Sequence, residues 1–345
     1  MAYVELNVAN DETVVDYFTR RLMFDQVAVA HKRATRSTLL RSNSAQVIVT
    51  TPTSGDGPVV DFLARHGDGV ADIALHHTDV HALVARAHRS GLKVLAPVRI
   101  LAPERVITAR IAGAGSVTHT LIDSSTHLLR RLPPGFPWQA DQLTLPGPAT
   151  PRAALARPQS IDHLTWYLPA DALERATAHY KEAFEMSITT SCITAGAGVA
   201  HSNALSSSGL VFVLTAPDAR HPDHVGQINE FLTTHNSAGV HHVALRTGDI
   251  VTAARLLKHT GATLLHAPID YYEHIPASVS ACRSVRARVP ELLALGILVD
   301  YDEHGLLYQI LGSSPLQRGA LHYELIQREG AAGFGRRSAR ALLQM

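Results

Sequence analysis

The sequence predicts an α+β fold built from two tandem copies of one module of strands and helices. Three observations predict it. The text from Phe62 to Leu75 returns as Phe231 to Leu245 with one residue inserted, and internal repetition takes precedence over local pattern. The order of elements, strand, helix, then strands, runs through the first half and restarts in the second. A proline-rich stretch divides the two. The match continues past the core repeat. Thr78-Asp79 answers Gly248-Asp249, and the runs from Val84 to Leu95 answer Ala254 to Leu265.

In the first half, Tyr3 to Val8 alternates as a strand. Asp11 to Met23 places Val14, Val15, Phe18 and Leu22 on one helical face. Thr38 to Thr50 reads as two strands around a polar turn. A helix follows at Val59 to His66, a strand at Gly69 to His76, a helix at Val80 to Ser90 and a strand at Val94 to Pro97. Ile107 to Ala112 and Ser116 to Asp123 form a hairpin around Gly113-Ala-Gly115. The first domain is assigned to residues 1–131.

Residues 132–158 carry seven prolines, Pro133, Pro134, Pro137, Pro146, Pro148, Pro151 and Pro158, and read as a linker lying on the surface. The second domain, 159–345, opens with a strand at Ile161 to Tyr167, a helix at Ala170 to Phe184 and a strand at Met186 to Thr194. Leu210 to Thr215 is a further strand and Val225 to Thr234 a helix. The repeated module then ends in strands at Leu306 to Leu311 and Leu321 to Ile326. A glycine-rich segment, Gly330 to Gly335, leads into a final helix, Ser338 to Leu343.

The bulk properties narrow the function. A chain of 345 residues holds about two domains with substantial cores. The formal net charge of +1 points to no nucleic acid and no acidic surface. Two cysteines, Cys192 and Cys282, make no disulfide framework and suit a reducing, cytoplasmic compartment. The N-terminus lacks the build of a signal peptide, and no apolar run is long enough for a membrane span.

Aligning the two halves locates the chemistry. His163, His242 and Glu324 stand where the first half has Tyr3, Asp72 and Thr120. Two histidines and one carboxylate on three strands leave metal positions open, an arrangement suited to Fe(II) and oxygen. A lone histidine at a strand start is more often structural. Glu324, between Tyr323 and Leu325, is harder to explain without a partner, because an unpaired buried carboxylate is costly. His241 competes with His242, and alternation does not decide between neighbours. The first half has lost the set, so one site is expected.

The second half resembles the 4-hydroxyphenylpyruvate dioxygenase and 4-hydroxymandelate synthase family of the vicinal-oxygen-chelate superfamily. The resemblance is carried by Gly226 to Phe231, Gly239 to Leu245, Tyr271-Tyr272-Glu273, Leu295 to Asp300, Leu307 to Ile310, Tyr323 to Arg328 and Gly333-Phe334-Gly335. It runs from about Ile161 to the end; the first half resembles the family only through Gly67 to Asp72. It implies two tandem βαβββ-repeat domains, each a half-open mixed β-barrel flanked by helices, with a C-terminal helix as a lid. It assigns the iron ligands to His163, His242 and Glu324. It implies substrate contacts at Gln227, Gln309 and Ser202, and an aromatic closing the pocket at Phe334, on the C-terminal helix.

The implied activity is Fe(II)-dependent decarboxylation and hydroxylation of an aromatic 2-oxo acid with O2, and the implied assembly is a homodimer or homotetramer. Four positions depart from the family. His241 stands for a glutamine, Leu311 for a phenylalanine, Ala339 for a second aromatic and Thr215 for an asparagine of the dioxygenases. They favour a changed substrate or product. Benzylic hydroxylation to a mandelate, and oxygenation of another 2-oxo acid, are the neighbouring alternatives. A metal-free binding protein is the alternative from outside enzymology.

Overall fold

A computed structural model describes residues 1–126, 132–140, 150–195, 199–220, 226–266, 269–273, 283–312, 316, 321–335 and 338. It shows the predicted mixed α+β architecture with two sheets. The first half contributes strands β1 (Tyr3–Asn7), β2 (Asp25–Lys32), β3 (Thr35–Ser42), β4 (Ala45–Pro52), β5 (Gly69–His77), β6 (Val94–Leu101), β7 (Val106–Ala112) and β8 (Thr118–Asp123), with β9 (Trp138–Ala140) beyond them. The second contributes β10 (Ser160–Tyr167), β11 (Ser187–Ala195), β12 (Val199–Ser207), β13 (Leu210–Pro217), β14 (Gly239–Arg246), β15 (Leu298–Asp302), β16 (Gly305–Gly312) and β17 (His322–Glu329).

The sheets share one topology. The first runs β6-β7-β8-β5-β1-β4-β3-β2-β9, and the second, reversed, runs β15-β16-β17-β14-β10-β13-β12-β11. In both, two parallel contacts, β1 with β4 and β5 with β8, or β10 with β13 and β14 with β17, flank a central antiparallel pair. The second sheet curls into a half-open barrel.

Helices cover the convex faces. They are α1 (Asp11–Asp16), α2 (Pro58–His66), α3 (Val80–Arg89), α4 (Pro151–Ala156), α5 (Leu173–Phe184), α6 (Gly226–His235), α7 (Ile250–His259), α8 (Ile269–Glu273) and α9 (Arg283–Leu295). The matched dipeptides of the repeat are matched caps. Asp79 accepts from Ala82 N at the start of α3, and Asp249 accepts from Thr252 N at the start of α7, each at 2.9 Å. Such a cap satisfies an amide that the helix cannot.

One continuous apolar cluster spans both halves. A wider, π-helical turn at Tyr17–Arg21 follows α1. It sets Tyr17 and Phe18 against Tyr323 of β17, with ring centroids 5.9 and 4.9 Å apart. On the other side, Ser116 N donates to Ala238 O at 3.0 Å.

Strands β2, β9, β12 and β15 escape the sequence pattern. β12 reads VAHSNALSS and β2 reads DQVAVAHK; their polar residues mask the alternation. Within 132–158, Trp138 stacks on Phe136, β9 pairs with β2, and α4 begins at Thr150, whose Oγ1 accepts from Ala153 N. Residues 141–149 lie outside the described part. So does the final helix past Ser338, and with it Ala339.

Candidate metal centre

Three neighbouring strands bring the centre together. β10 carries His163, β14 carries His242 and β17 carries Glu324. Glu324 Oε2 lies 3.6 Å from His163 Nε2 and 3.3 Å from His242 Nε2. One ligand atom from each residue falls within 4.8 Å of the others. All three are buried, Glu324 to 1% exposure.

The register explains how consecutive histidines come to share the site. Thr165 pairs with His242, but Trp166 pairs with Val240, which leaves His241 as an extra residue in β14. Such a bulge turns two neighbouring side chains to one face. His241 Nδ1 accordingly lies 3.0 Å from His242 Nδ1. Its ring stacks on Tyr167, with centroids 4.0 Å apart and planes at 12°. Burial first, then the neighbouring imidazoles, push His241 well below the usual histidine range, so it is neutral. His242 is also lowered by burial, opposed by Glu324. Burial alone would raise the Glu324 carboxyl. The hydrogen bond from His242, the charges of both histidines and a hydrogen bond from Gln309 reverse that and keep it ionised. A neutral imidazole and an ionised carboxylate are the ligand forms of both residues.

Each ligand has a support. Asp162 Oδ1 lies 3.1 Å from His163 Nδ1, which fixes that nitrogen as the donor and leaves Nε2 for the centre. Arg328 holds Asp162 with two prongs, Nε to Oδ2 at 2.9 Å and Nη2 to Oδ1 at 2.8 Å. Hydrogen bonds from Arg328 and His163 outweigh burial and hold the Asp162 carboxyl well below its usual range. Arg328 Nη1 donates to Ala331 O and to Gly333 O, at 3.1 and 2.6 Å. Asp302 Oδ2 accepts from the amides of Ala332 and Gly333. Together these fix Phe334, whose ring meets His163 edge-on at 5.0 Å. Phe334 therefore closes on the centre from an irregular segment, not from a helix as the resemblance implied.

Gln309 Nε2 donates to Glu324 Oε1 at 2.6 Å, while its own Oε1 is buried without a partner. Leu311 pairs with Glu324 across the ladder, so it shares that face. Ser202 pairs with Thr215, their hydroxyl oxygens 2.9 Å apart, and Thr215 pairs in turn with Tyr167. Gln227 stands in the first turn of α6, whose Phe231 meets Tyr167 edge-on. Of the four expected substrate contacts, Gln309 and Phe334 lie against the candidate ligands; Ser202 is linked through Thr215 to Tyr167, and Gln227 is on α6, whose Phe231 packs on Tyr167. Sequence reasoning gave no role to Asp162 or Arg328. Arg328 lies four residues after Glu324, on the same face of one strand, but nothing in the sequence ties it to Asp162.

The pattern described as "Glyoxalase/Bleomycin resistance protein/Dioxygenase superfamily" matches residues 160–274. A 4-hydroxyphenylpyruvate dioxygenase of Coccidioides posadasii is 28% identical over 99% of this chain and 90% of its own length. One from Dictyostelium discoideum is 25% identical over 99% of this chain and 95% of its own. The solved structure of a triply substituted 4-hydroxymandelate synthase from Streptomyces coelicolor superposes with a TM-score of 0.86. It is 32% identical, covering 100% of this chain and 96% of that one. Among the described residues, no helix is long and apolar enough to cross a membrane.

Proposed function

The chain belongs to the family of 4-hydroxyphenylpyruvate dioxygenases and 4-hydroxymandelate synthases, and from that premise we propose that it is an Fe(II) oxygenase of an aromatic 2-oxo acid such as 4-hydroxyphenylpyruvate. The product would be of the homogentisate type. The observation that carries this reading is the buried set of His163, His242 and Glu324. Two nitrogens and one oxygen on one side of a point suit Fe(II) and leave positions for substrate.

The chemistry supplied at such a centre is oxygen activation coupled to decarboxylation of a chelating 2-oxo acid. The protein's own part is positioning and exclusion. Gln309 occupies Glu324 Oε1 and leaves Oε2 toward the histidines. Its unpartnered Oε1 offers an acceptor to a substrate hydroxyl. Ser202 and Gln227 orient the far end of the substrate. Phe334, held by Arg328, keeps water from the reacting atoms. Residues 1–131 and 159–345 are two modules, with the chemistry in the second and the first packed against the strand that carries Glu324.

A second reading is benzylic hydroxylation to a mandelate. Thr215 beside Ser202, where the dioxygenases have asparagine, favours it. The test is anaerobic reconstitution with Fe(II), then exposure to oxygen and 4-hydroxyphenylpyruvate, with products read by mass spectrometry. Homogentisate supports the first reading and 4-hydroxymandelate the second. Bound iron without turnover points to another 2-oxo acid. Failure to bind iron overturns the reading.

A further inference from the structure

The first half keeps the barrel and replaces the metal ligands. Tyr3 pairs with Ala74 as His163 pairs with Ala244, and Glu5 pairs with Asp72 as Thr165 pairs with His242. Leu75 pairs with Leu121, which sets Thr120 opposite Ala74, as Glu324 is opposite Ala244. Tyr3, Asp72 and Thr120 thus hold the three ligand positions. They line a cavity of about 450 Å³, with Glu5, Lys32 and Arg110 around them.

The charges in this cavity compensate one another only in part: Lys32 and Arg110 attract Glu5, and Arg110 attracts Asp72, but none of them is in contact. Glu5 and Asp72 are direct cross-strand partners, and like charges so placed repel. Asp72 is 2% exposed; its Oδ1 accepts from Thr118 at 2.6 Å, while its buried Oδ2 makes no close hydrogen bond and Thr120 lowers the carboxyl only weakly against burial. Glu5 Oε1 accepts from Thr50 at 2.7 Å. Arg110 instead donates to Thr118, and the Lys32 ammonium lies 4.0 Å from the centre of the Phe136 ring. Among the described residues, neither cation is in an ion pair with either carboxylate. Burial, and the repulsion of Asp72, push the Glu5 carboxyl up, and burial pushes that of Asp72 up.

A buried, half-satisfied carboxylate beside a second one is a demand for a cation. A metal ion is not the best answer. Among the described residues, His163, His242 and Glu324 are the one set of three His, Cys, Asp or Glu side chains spaced to hold one, and this cavity offers only two carboxylates. An organic ammonium, with three donors, meets two carboxylates without fixed coordination. The two cations, beside an aromatic ring, ask for an anion on the same ligand.

We propose that the cavity of the first half binds a free α-amino acid, its ammonium between Glu5 and Asp72 and its carboxylate toward Lys32 and Arg110. The inference stands on the first half alone and does not need the iron reading.

The test is calorimetric titration of the full-length, chelator-treated protein with each of the standard α-amino acids. The amine and the acid that each becomes on losing one charged group serve as controls. At least one amino acid should bind in a one-to-one ratio, and both truncated analogues at least about tenfold more weakly. Asp72→Asn and Arg110→Gln should each weaken binding about tenfold or more, and Glu324→Gln should leave it unchanged. Arg110 is exposed, so its variant carries the test if Asp72→Asn fails to fold. No saturable binding up to about 10 mM of any amino acid would overturn the proposal. So would binding that survives both first-half substitutions, binding abolished by Glu324→Gln, or equal binding of an amine lacking the carboxylate.

Discussion

His241 Nδ1 and His242 Nδ1 face each other at 3.0 Å, so only one of them carries the proton. In this structure His242 Nε2 donates to Glu324, so its Nδ1 accepts from His241; a ligand role at Nε2 would move the proton to Nδ1 and make His241 the acceptor. With His242 as a ligand, His241 would be a positioning residue that sets the tautomer of its neighbour.

Replacing His241 tests that relationship. His241→Ala should lower Fe(II) or Co(II) affinity about tenfold or more, as loss of an outer-shell partner does. His241→Gln, which supplies a carbonyl acceptor, should restore most of it. Metal titration followed by absorbance reads both. Equal affinities in the two variants would remove the acceptor role.

Arg328 predicts a larger effect. Its two-pronged pair with Asp162 is nearly buried, the side chains 11% and 7% exposed. Arg328→Met leaves a buried carboxylate without its cation and with only the His163 hydrogen bond, which costs about 3–5 kcal/mol. Denaturant unfolding should show the loss. Metal affinity should fall as well, because Asp162 no longer fixes His163. Arg328→Lys keeps the charge but not the fork and should recover only part of either.

Leu311 pairs with Glu324 and borders the centre. Leu311→Phe should narrow the space beside the ligands. The ratio of kcat/KM for a phenyl-bearing 2-oxo acid to that for a bulkier one should rise about tenfold, the value of one or two methylenes in a pocket. An unchanged ratio in a substrate panel would place Leu311 outside the substrate's reach.

Acid stability has a source away from the centre. His119 is fully buried, its Nε2 3.0 Å from the Tyr180 hydroxyl and its Nδ1 3.3 Å from Ile73 O. Burial lowers its pKa from 6.5 to about 4. The unfolded chain takes up this proton below pH 6.5 and the folded one only near pH 4. Stability should therefore fall as pH drops through that window, by about 3 kcal/mol from this group. His119→Gln keeps a donor and an acceptor without titrating. Urea unfolding at several pH values should show a shallower slope for the variant; His235, also lowered to about 4 by burial, keeps its own share.

Gly115 has φ +67, and a Cβ there would strike Ala238 O. Gly115→Ala should cost more than about 2 kcal/mol, combining a left-handed backbone with a clash against the other half. A melting temperature within about 2 °C of the parent would contradict the contact.

The repeat made the order of elements along the chain and the three aligned positions legible, because Asp72 and His242 hold equivalent registers. The choice between His241 and His242 was not legible. It depends on a bulge, and the two-residue period of a strand says nothing about an inserted residue. β12 was hidden for a related reason: Ser202, set toward the concave face, breaks the apolar alternation that marks a strand. Arg328 and Asp162 lie 166 residues apart, and no local pattern links them. The placement of Phe334 depends on the carbonyls that Arg328 grips, which are tertiary contacts.

Tyr323 and Glu324 are neighbours on β17 with opposite duties. Glu324 faces the centre, and Tyr323 is covered by Tyr17 and Phe18 of the first half. The strand that presents the carboxylate is thus buttressed by the module that has no ligands. A fragment beginning near residue 159 would expose that aromatic face and loosen the strand behind it. The protein should melt as a single cooperative unit, and neither half should serve as a free-standing cassette for grafting or truncation.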